Sequence, residues 1–221
     1  MKRTHLVRCL VSCGLLLATS LSTAAQTAGV SLENTAPVKE PDVIYVPTPQ
    51  PAVDRMLEMA KIEKGDLLYD LGCGDGRIVV TAAKRFGIKA VGYDIDPVRI
   101  KESRENVRTN GVEHLVTIKQ EDIFTLDLRE ANVVTLYLLP QLNVRLMPQL
   151  RQLKPGSRIV SHDFDMRGAE PNEVAKVMVA YEDGDTIEHT IYKWIVPWRE
   201  QKDAASRSEE HTSELQSRQV I

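Results

Sequence analysis

A short run of glycines and a carboxylate at residues 70–76 carries the clearest chemistry in the chain. Asp70 opens the run, and its glycines and cysteine are Gly72, Cys73, Gly74 and Gly76. Glycine lets a backbone turn sharply and approach a ligand closely, and a helix that starts after such a loop presents free N–H groups. The third glycine comes one position too early for a dinucleotide-binding loop, and Arg77 follows it. The neighbouring acid favours a ligand with a cationic amino-acid group, such as S-adenosylmethionine, and a purely structural turn is the alternative.

Two further acidic residues follow the next two predicted strands. Asp94, with Ile95 after it, ends the second strand and could accept hydrogen bonds from both hydroxyls of a ribose. Asp122 and Ile123 lie just past the third strand, where an acceptor beside an apolar side chain suits an adenine amino group and ring face. A surface aspartate and a turn aspartate are the respective alternatives.

The elements that must position these residues alternate along the chain. Short apolar runs predict strands at 67–71, 89–93, 116–119, 131–138 and 158–161, and helical periodicity predicts helices at 51–61, 77–86, 97–110 and 143–153. Thr48 is predicted to cap the first helix. Residues 176–181 and 186–196 flank an Asp-Gly turn, which is typical of a hairpin. The pattern predicts an α/β fold with a Rossmann-like doubly wound sheet of about seven strands, mainly parallel, with a C-terminal antiparallel hairpin.

Composition narrows the classes of partner and site. The chain has 221 residues and a formal net charge of -3, and this mild acidity argues against a nucleic-acid partner. Cys9 and Cys13 lie in the predicted leader, so Cys73 alone remains in the body and no internal disulfide is expected. No metal site is predicted.

The motifs together resemble those of class I, seven-strand S-adenosylmethionine-dependent methyltransferases. The resemblance rests on residues 70–76, Asp94 and Asp122 and covers about 45–200. The segment Tyr45-Val-Pro-Thr48-Pro is similar to one in the small lysine N-methyltransferases that modify mitochondrial membrane proteins, where it closes over the cofactor. The resemblance implies S-adenosylmethionine as cofactor, contacted by Tyr45 and Thr48. A proline-stiffened linker is the alternative for this segment.

The methyl acceptor should lie at the ends of the fourth and fifth strands. Methyl transfer from a sulfonium asks the enzyme to align donor and nucleophile and to exclude water, and a lysine amine must first lose its proton. Tyr137 ends the fourth strand and could position an amine, while Asp163, with His162 and Asp165 beside it, could hold the amine or accept its proton. Tyr137 and Asp163 are therefore the predicted catalytic residues, with core packing and loop capping as the alternatives.

The predicted function is methyl transfer from S-adenosylmethionine to a protein lysine. Leu138-Leu139-Pro140 stands where base-amino methyltransferases carry Asn-Pro-Pro-Tyr, and no Pro-Cys dipeptide supports cytosine-ring chemistry. A small-molecule methyltransferase and a non-catalytic cofactor-binding module remain as alternatives, because fold alone does not fix the acceptor.

The two ends of the chain are not expected to belong to the domain, which is predicted over 42–200. A positive start, an apolar run strongest over 14–21 and small residues up to Ala25 predict a signal peptide over 1–25, followed by a linker over 26–41. That leader implies export to a bacterial periplasm or secretion, with mitochondrial import as the alternative, and its apolar run is too short for a stable membrane span. Residues 201–221 are predicted to be a disordered tail that resembles translated adapter sequence from about 206.

Overall fold

The computed structural model describes residues 44–182 and 184–201. The predicted leader, linker and C-terminal tail lie outside these residues, except for positions at their borders, and so does Asp183 of the predicted hairpin turn. The helices are α1 (Gln50–Met59), α2 (Arg77–Phe86), α3 (Pro97–Thr109) and α4 (Pro140–Leu150), with a 3-10 turn at Ile123–Thr125. The strands are β1 (Leu67–Leu71), β2 (Lys89–Asp94), β3 (Val116–Gln120), β4 (Val133–Leu136), β5 (Arg158–His162), β6 (Ala169–Glu170), β7 (Glu173–Ala180), β8 (Thr186–Ile195) and β9 (Arg199–Glu200).

Seven of these strands form one twisted sheet in the order β3-β2-β1-β4-β5-β8-β7. The first five strands pair in parallel, and β8 pairs antiparallel with both β5 and β7. The predicted fold, including the C-terminal hairpin, is confirmed. The chain reverses its winding direction between β1 and β4, and the carboxyl ends of parallel strands at such a switch point form a ligand crevice.

Apolar clusters cover both faces of the sheet. One cluster contains the inward faces of α1, α2 and α3, and the other contains α4 with the buried Trp194 from β8. Every residue of β4 is buried, as expected for a central parallel strand. The packing fixes where each strand ends, and those ends carry the candidate site.

The details of the helix starts differ from the predictions. The residue before α1 is Pro49, and no side chain caps the helix, so the predicted capping role of Thr48 is wrong. The fourth helix begins at Pro140 rather than at position 143, because a proline in the first helical turn has its φ preset and needs no N–H partner. Two short strands, β6 and β9, pair in a separate antiparallel ribbon that the pattern did not predict. None of the described helices has the length and hydropathy needed to cross a membrane.

Candidate active site

A cleft opens at the carboxyl ends of the parallel strands. It encloses about 960 Å³, including the space that is open to solvent. Most of the predicted site residues line it: Tyr45, Thr48, Asp70, Gly72, Cys73, Asp94, Ile95, Asp122, Ile123 and Tyr137. Gly74, Gly76 and Asp163 are not part of the lining.

The glycine loop connects β1 to α2 in a conformation that needs glycine. Gly72, Gly74 and Gly76 have φ values of +83°, +53° and +78°, all in the left-handed region. A Cβ at Gly74 would lie 2.2 Å from the Tyr45 ring, so this glycine also makes room for a neighbouring side chain. Gly76 directly precedes α2, whose first N–H groups therefore point toward the loop.

Asp70 is a buried carboxylate with an open acceptor. The Thr135 hydroxyl donates to its Oδ1 over 2.8 Å, while its Oδ2 has no hydrogen-bond partner among the described residues. Burial raises the pKa of Asp70 to about 7, and the nearby charges of Asp94 and Asp75 add to that effect. A buried acceptor that lacks a donor is costly, and a cationic amino group in the cleft would supply one.

Asp94 is held in a fixed orientation by the backbone. Its Oδ2 accepts from the Gly74 N–H over 2.8 Å, and its Oδ1 accepts from the Asp96 N–H over 3.0 Å. Burial raises its pKa despite these two bonds. A carboxylate has about four lone-pair sites, so both oxygens keep the capacity to accept from ribose hydroxyls.

The adenine end of the predicted site lies at the 3-10 turn. The Asp122 side chain accepts from the Phe124 N–H over 3.0 Å and so fixes the turn, which is the capping role that was kept as its alternative. Gln149 donates to the Ile123 carbonyl over 3.2 Å and holds the turn against α4. Cys73 is buried against Gly92, and burial raises the pKa of its thiol well above the ordinary value, so it packs rather than reacts.

Arg77 clamps the N-terminal segment over the glycine loop. Its guanidinium forks onto Asp75, with Nη2 2.6 Å from Oδ2 and Nε 3.0 Å from Oδ1, while Nη1 donates to the Thr48 carbonyl over 2.9 Å. Burial acts to raise the pKa of Asp75, but the hydrogen bonds and charge of Arg77 lower it overall. The Arg99 guanidinium also lies 4.6 Å from the centre of the Tyr45 ring. These arginines were not predicted as site residues, although Arg77 directly follows the glycine run.

A second group of side chains lies beside Tyr137. Its ring centre is 4.0 Å from that of His162 and 5.9 Å from that of Phe164. Burial raises the pKa of Tyr137, and the charge on Asp163 contributes to the same direction. Asp163 therefore faces the Tyr137 side of the cleft without lining it, and the two predicted catalytic residues share one region.

The residues around Asp163 come from distant parts of the chain. Its Oδ2 lies 2.8 Å from Nδ1 of His189, which is on β8, and His189 Nε2 lies 3.0 Å from the Tyr181 hydroxyl. His162 is fully buried, and burial lowers its pKa to about 4, so it is neutral at physiological pH. His189 and Tyr181 were missed by sequence reasoning, because only the pairing of β8 with β5 brings them to Asp163.

The lining residues fit S-adenosylmethionine. Asp70 offers an unpartnered anionic acceptor for its ammonium, and Asp94 offers acceptors for its ribose. The site presents no side-chain cation comparable to a phosphate-binding lysine in the glycine loop itself. An amino-acid nucleoside therefore matches the described cleft better than a pyrophosphate does.

Comparison with known proteins agrees with this geometry. Residues 70–173 match the family of the ANTKMT methyltransferase domain. A protein-lysine N-methyltransferase from Saccharolobus islandicus is 49% identical over 158 residues, which cover 71% of this chain and 95% of that protein. An ATP synthase lysine N-methyltransferase of Xenopus laevis is 30% identical, and the match covers 59% of this chain and 57% of that protein.

A solved structure extends the comparison to three dimensions. The crystal structure of an RNA methyltransferase from Salinibacter ruber, in complex with S-adenosyl-L-homocysteine, superposes with a TM-score of 0.62 at 48% sequence identity. The match covers 72% of this chain and 98% of that one. The chain therefore belongs to the ANTKMT family of class I S-adenosylmethionine-dependent methyltransferases.

Proposed function

We propose that the chain is a protein-lysine N-methyltransferase. The observation that carries the proposal is the 49% identity, across 95% of its length, to a protein that bears this name. The chemistry of the cleft and of its neighbouring aromatic and acidic side chains supports the same acceptor class.

The cofactor half of the proposal assigns each part of the ligand to a described residue. Asp70 would accept from the ammonium, Asp94 from the ribose hydroxyls and Asp122 from the adenine amino group, with Ile123 against the ring. Tyr45 and Thr48 would cover the ligand, since Arg77 holds their segment at the cleft. When bound, the sulfonium supplies an activated methyl group, and the residues of the chain then need only to align it with an amine and exclude water.

The acceptor half rests on acids and aromatic rings at the ends of β4 and β5. Tyr137 and Phe164 stack beside the cleft, and rings of this kind favour a cation over their faces. Burial raises the pKa of Tyr192, and the charges of Asp165 and Asp163 raise it further, so both carboxylates lie near that ring. A lysine ammonium would be attracted by this surface, and its removal from water there would lower its pKa toward the neutral, nucleophilic form.

RNA is the second candidate acceptor, because the 48% identical Salinibacter ruber protein is named an RNA methyltransferase. The acceptor side of the cleft presents Asp163 and Asp165. Carboxylates repel a phosphate backbone, which a nucleic-acid enzyme normally meets with lysine and arginine. The local charge therefore favours a protein lysine.

The test offers the full chain a choice of acceptors. Isotope-labelled S-adenosylmethionine would be incubated with the enzyme and a lysine-rich protein, the same protein with its amines acetylated, RNA, or small amines. We expect label on lysine Nζ of the unmodified protein, located by mass spectrometry, and none on the acetylated protein. Label on RNA or only on small amines would overturn the lysine assignment. Saturable cofactor binding by calorimetry without turnover on any acceptor would indicate a silent module.

A further inference from the structure

Asp163, His189 and Tyr181 form a line of hydrogen bonds that leads from the acceptor side to solvent. Asp163 Oδ2 lies 2.8 Å from His189 Nδ1, and His189 Nε2 lies 3.0 Å from the Tyr181 hydroxyl. Tyr181 is 37% exposed, whereas His189 is buried. The middle of the line is therefore shielded from water and its outer end is not.

The same region resembles a metal site, but its hydrogen-bond capacity argues otherwise. Ligand atoms of His162, Asp163 and His189 lie within 4.8 Å of one another, a donor set that zinc also uses. A metal on His162 Nε2 would force the proton onto Nδ1, and that buried atom has no partner among the described residues. Metal-bound histidines almost always donate through the other nitrogen. The cluster is therefore better satisfied by protons than by a metal ion.

The backbone at Asp163 is strained in a way that aims its carboxylate. Asp163 has a φ of +56°, which is uncommon for a residue with a side chain. Its N–H donates to the Thr190 carbonyl over 2.7 Å, and the Thr190 N–H donates to its Oδ1 over 2.8 Å. These two bonds to β8 hold the left-handed turn and leave Oδ2 directed at His189. Strain of this kind persists where surrounding structure over-determines it, often at functional sites.

We propose that Asp163, His189 and Tyr181 carry the proton of the acceptor ammonium to solvent, an inference that rests on the proposed lysine acceptor. One N–H bond of the ammonium breaks and its proton joins the Asp163 carboxylate, which leaves the electron pair on nitrogen. The proton passes to His189 Nδ1 as the proton on Nε2 leaves through the Tyr181 hydroxyl to water. The neutral amine then forms its bond to the methyl carbon as the carbon–sulfur bond breaks. One proton is released for each methyl group transferred.

The other titratable groups near this line have defined places. His162 packs against His189 with Nε2 3.0 Å from Nδ1, and since burial lowers its pKa to about 4 it does not retain the proton near neutrality. Tyr137 lies on the cleft side. The charges of Asp163 and Asp165 reach Tyr192 on β8. Lys176 and Glu188 pair with each other on the exposed face of the hairpin, 2.6 Å apart.

The test compares pH–rate profiles of the full chain with a lysine-bearing protein acceptor. Asp163→Asn keeps a residue type that tolerates positive φ, while His189→Gln and Tyr181→Phe interrupt the line at its middle and its end. We expect Asp163→Asn to slow turnover about 100-fold at pH 7, and the other two about tenfold. The losses should shrink toward pH 10, where free lysine loses its proton in solution. His114→Gln, at an exposed histidine outside the cluster, is the matched control and should keep the wild-type profile.

The outcomes separate this inference from the function on which it rests. Cofactor affinity, measured by calorimetry, should stay within about twofold of wild type in all variants, since none of the three lines the cleft. A loss in His189→Gln and Tyr181→Phe that is equal at pH 7 and pH 10, or no loss at all, would overturn the proton path and leave lysine methylation standing. A wild-type enzyme that transfers no methyl to lysine would overturn both.

Discussion

The cofactor side and the acceptor side of this enzyme are built differently. On the cofactor side, backbone groups do most of the positioning: Gly74 and Asp96 N–H groups orient Asp94, and the Tyr93 carbonyl accepts from the N–H of Gly72 over 2.8 Å. On the acceptor side, much of the positioning is done by side chains on other side chains, with His162, His189 and Tyr181 arranged around Asp163.

The difference sets how each side should respond to substitution. A site made by the backbone depends on whether the chain can adopt its turn, so glycine positions should be its weak points. A site made by side chains can lose one member and keep its fold, so its variants should alter rate and pH dependence instead. Substitutions on the cofactor side sharpen this contrast.

The largest effect is expected for Gly74→Ala. Its Cβ would lie 2.2 Å from the Tyr45 ring in a left-handed turn, so either the loop or the segment over the cleft must shift. Overpacking of this kind costs about 1–3 kcal/mol, and we expect affinity for S-adenosylmethionine to fall about 100-fold by calorimetry.

Gly87→Ala is the matched control for that substitution. Gly87 also has a positive φ, of +63°, but no atom lies within 4 Å of its added Cβ. We expect a loss of about 1 kcal/mol in the free energy of unfolding and no change in cofactor affinity. Equal losses of affinity in both variants would show that general destabilisation, and not the clash at Tyr45, explains the result.

A smaller effect, with a defined pH dependence, is expected for Asp70→Asn. Burial raises the pKa of Asp70 from 3.8 to about 7, so between these values the folded protein holds a proton that the unfolded chain has released. The free energy of unfolding contributed by this group therefore falls as pH rises from about 4 to 7. Asp70→Asn should remove that slope and make the cofactor-free protein more stable than wild type at pH 8, while weakening cofactor binding about tenfold.

Urea denaturation at several pH values between 5 and 8 measures the slope. Asp127→Asn serves as control, because Arg129 lowers the pKa of Asp127 to about 2 and its titration lies below this range. A difference between wild type and Asp70→Asn that stays constant from pH 5 to pH 8 would contradict the assignment of the slope to Asp70.

The contrast between the two sides also explains what the sequence could predict. Asp70, Asp94 and the glycines follow consecutive strands of one parallel sheet, so their order along the chain places them at one edge. His189 and Tyr181 sit on an antiparallel hairpin whose register against β5 decides which side chains meet Asp163, and a shift of one residue would turn them to the other face. Thr48 was assigned to a helix cap because its type fits one, although its buried position is set by Arg77 instead.

The smallest effect is expected for Arg77→Lys, which tests whether the clamp on the Tyr45 segment matters to the cofactor side. The guanidinium bonds Asp75 and the Thr48 carbonyl together, and an ammonium on a flexible stem cannot match that planar fork. The pair is partly exposed, at 31% for Arg77, so we expect only about a threefold loss of cofactor affinity. Arg129→Lys is the control, since Arg129 makes the same fork onto Asp127, with 2.8 Å from Nε to Oδ1, at an exposed position outside the cleft. If both variants bind the cofactor as wild type does, the segment is held by Tyr45 against the glycine loop and by Arg99, and the clamp adds nothing to binding.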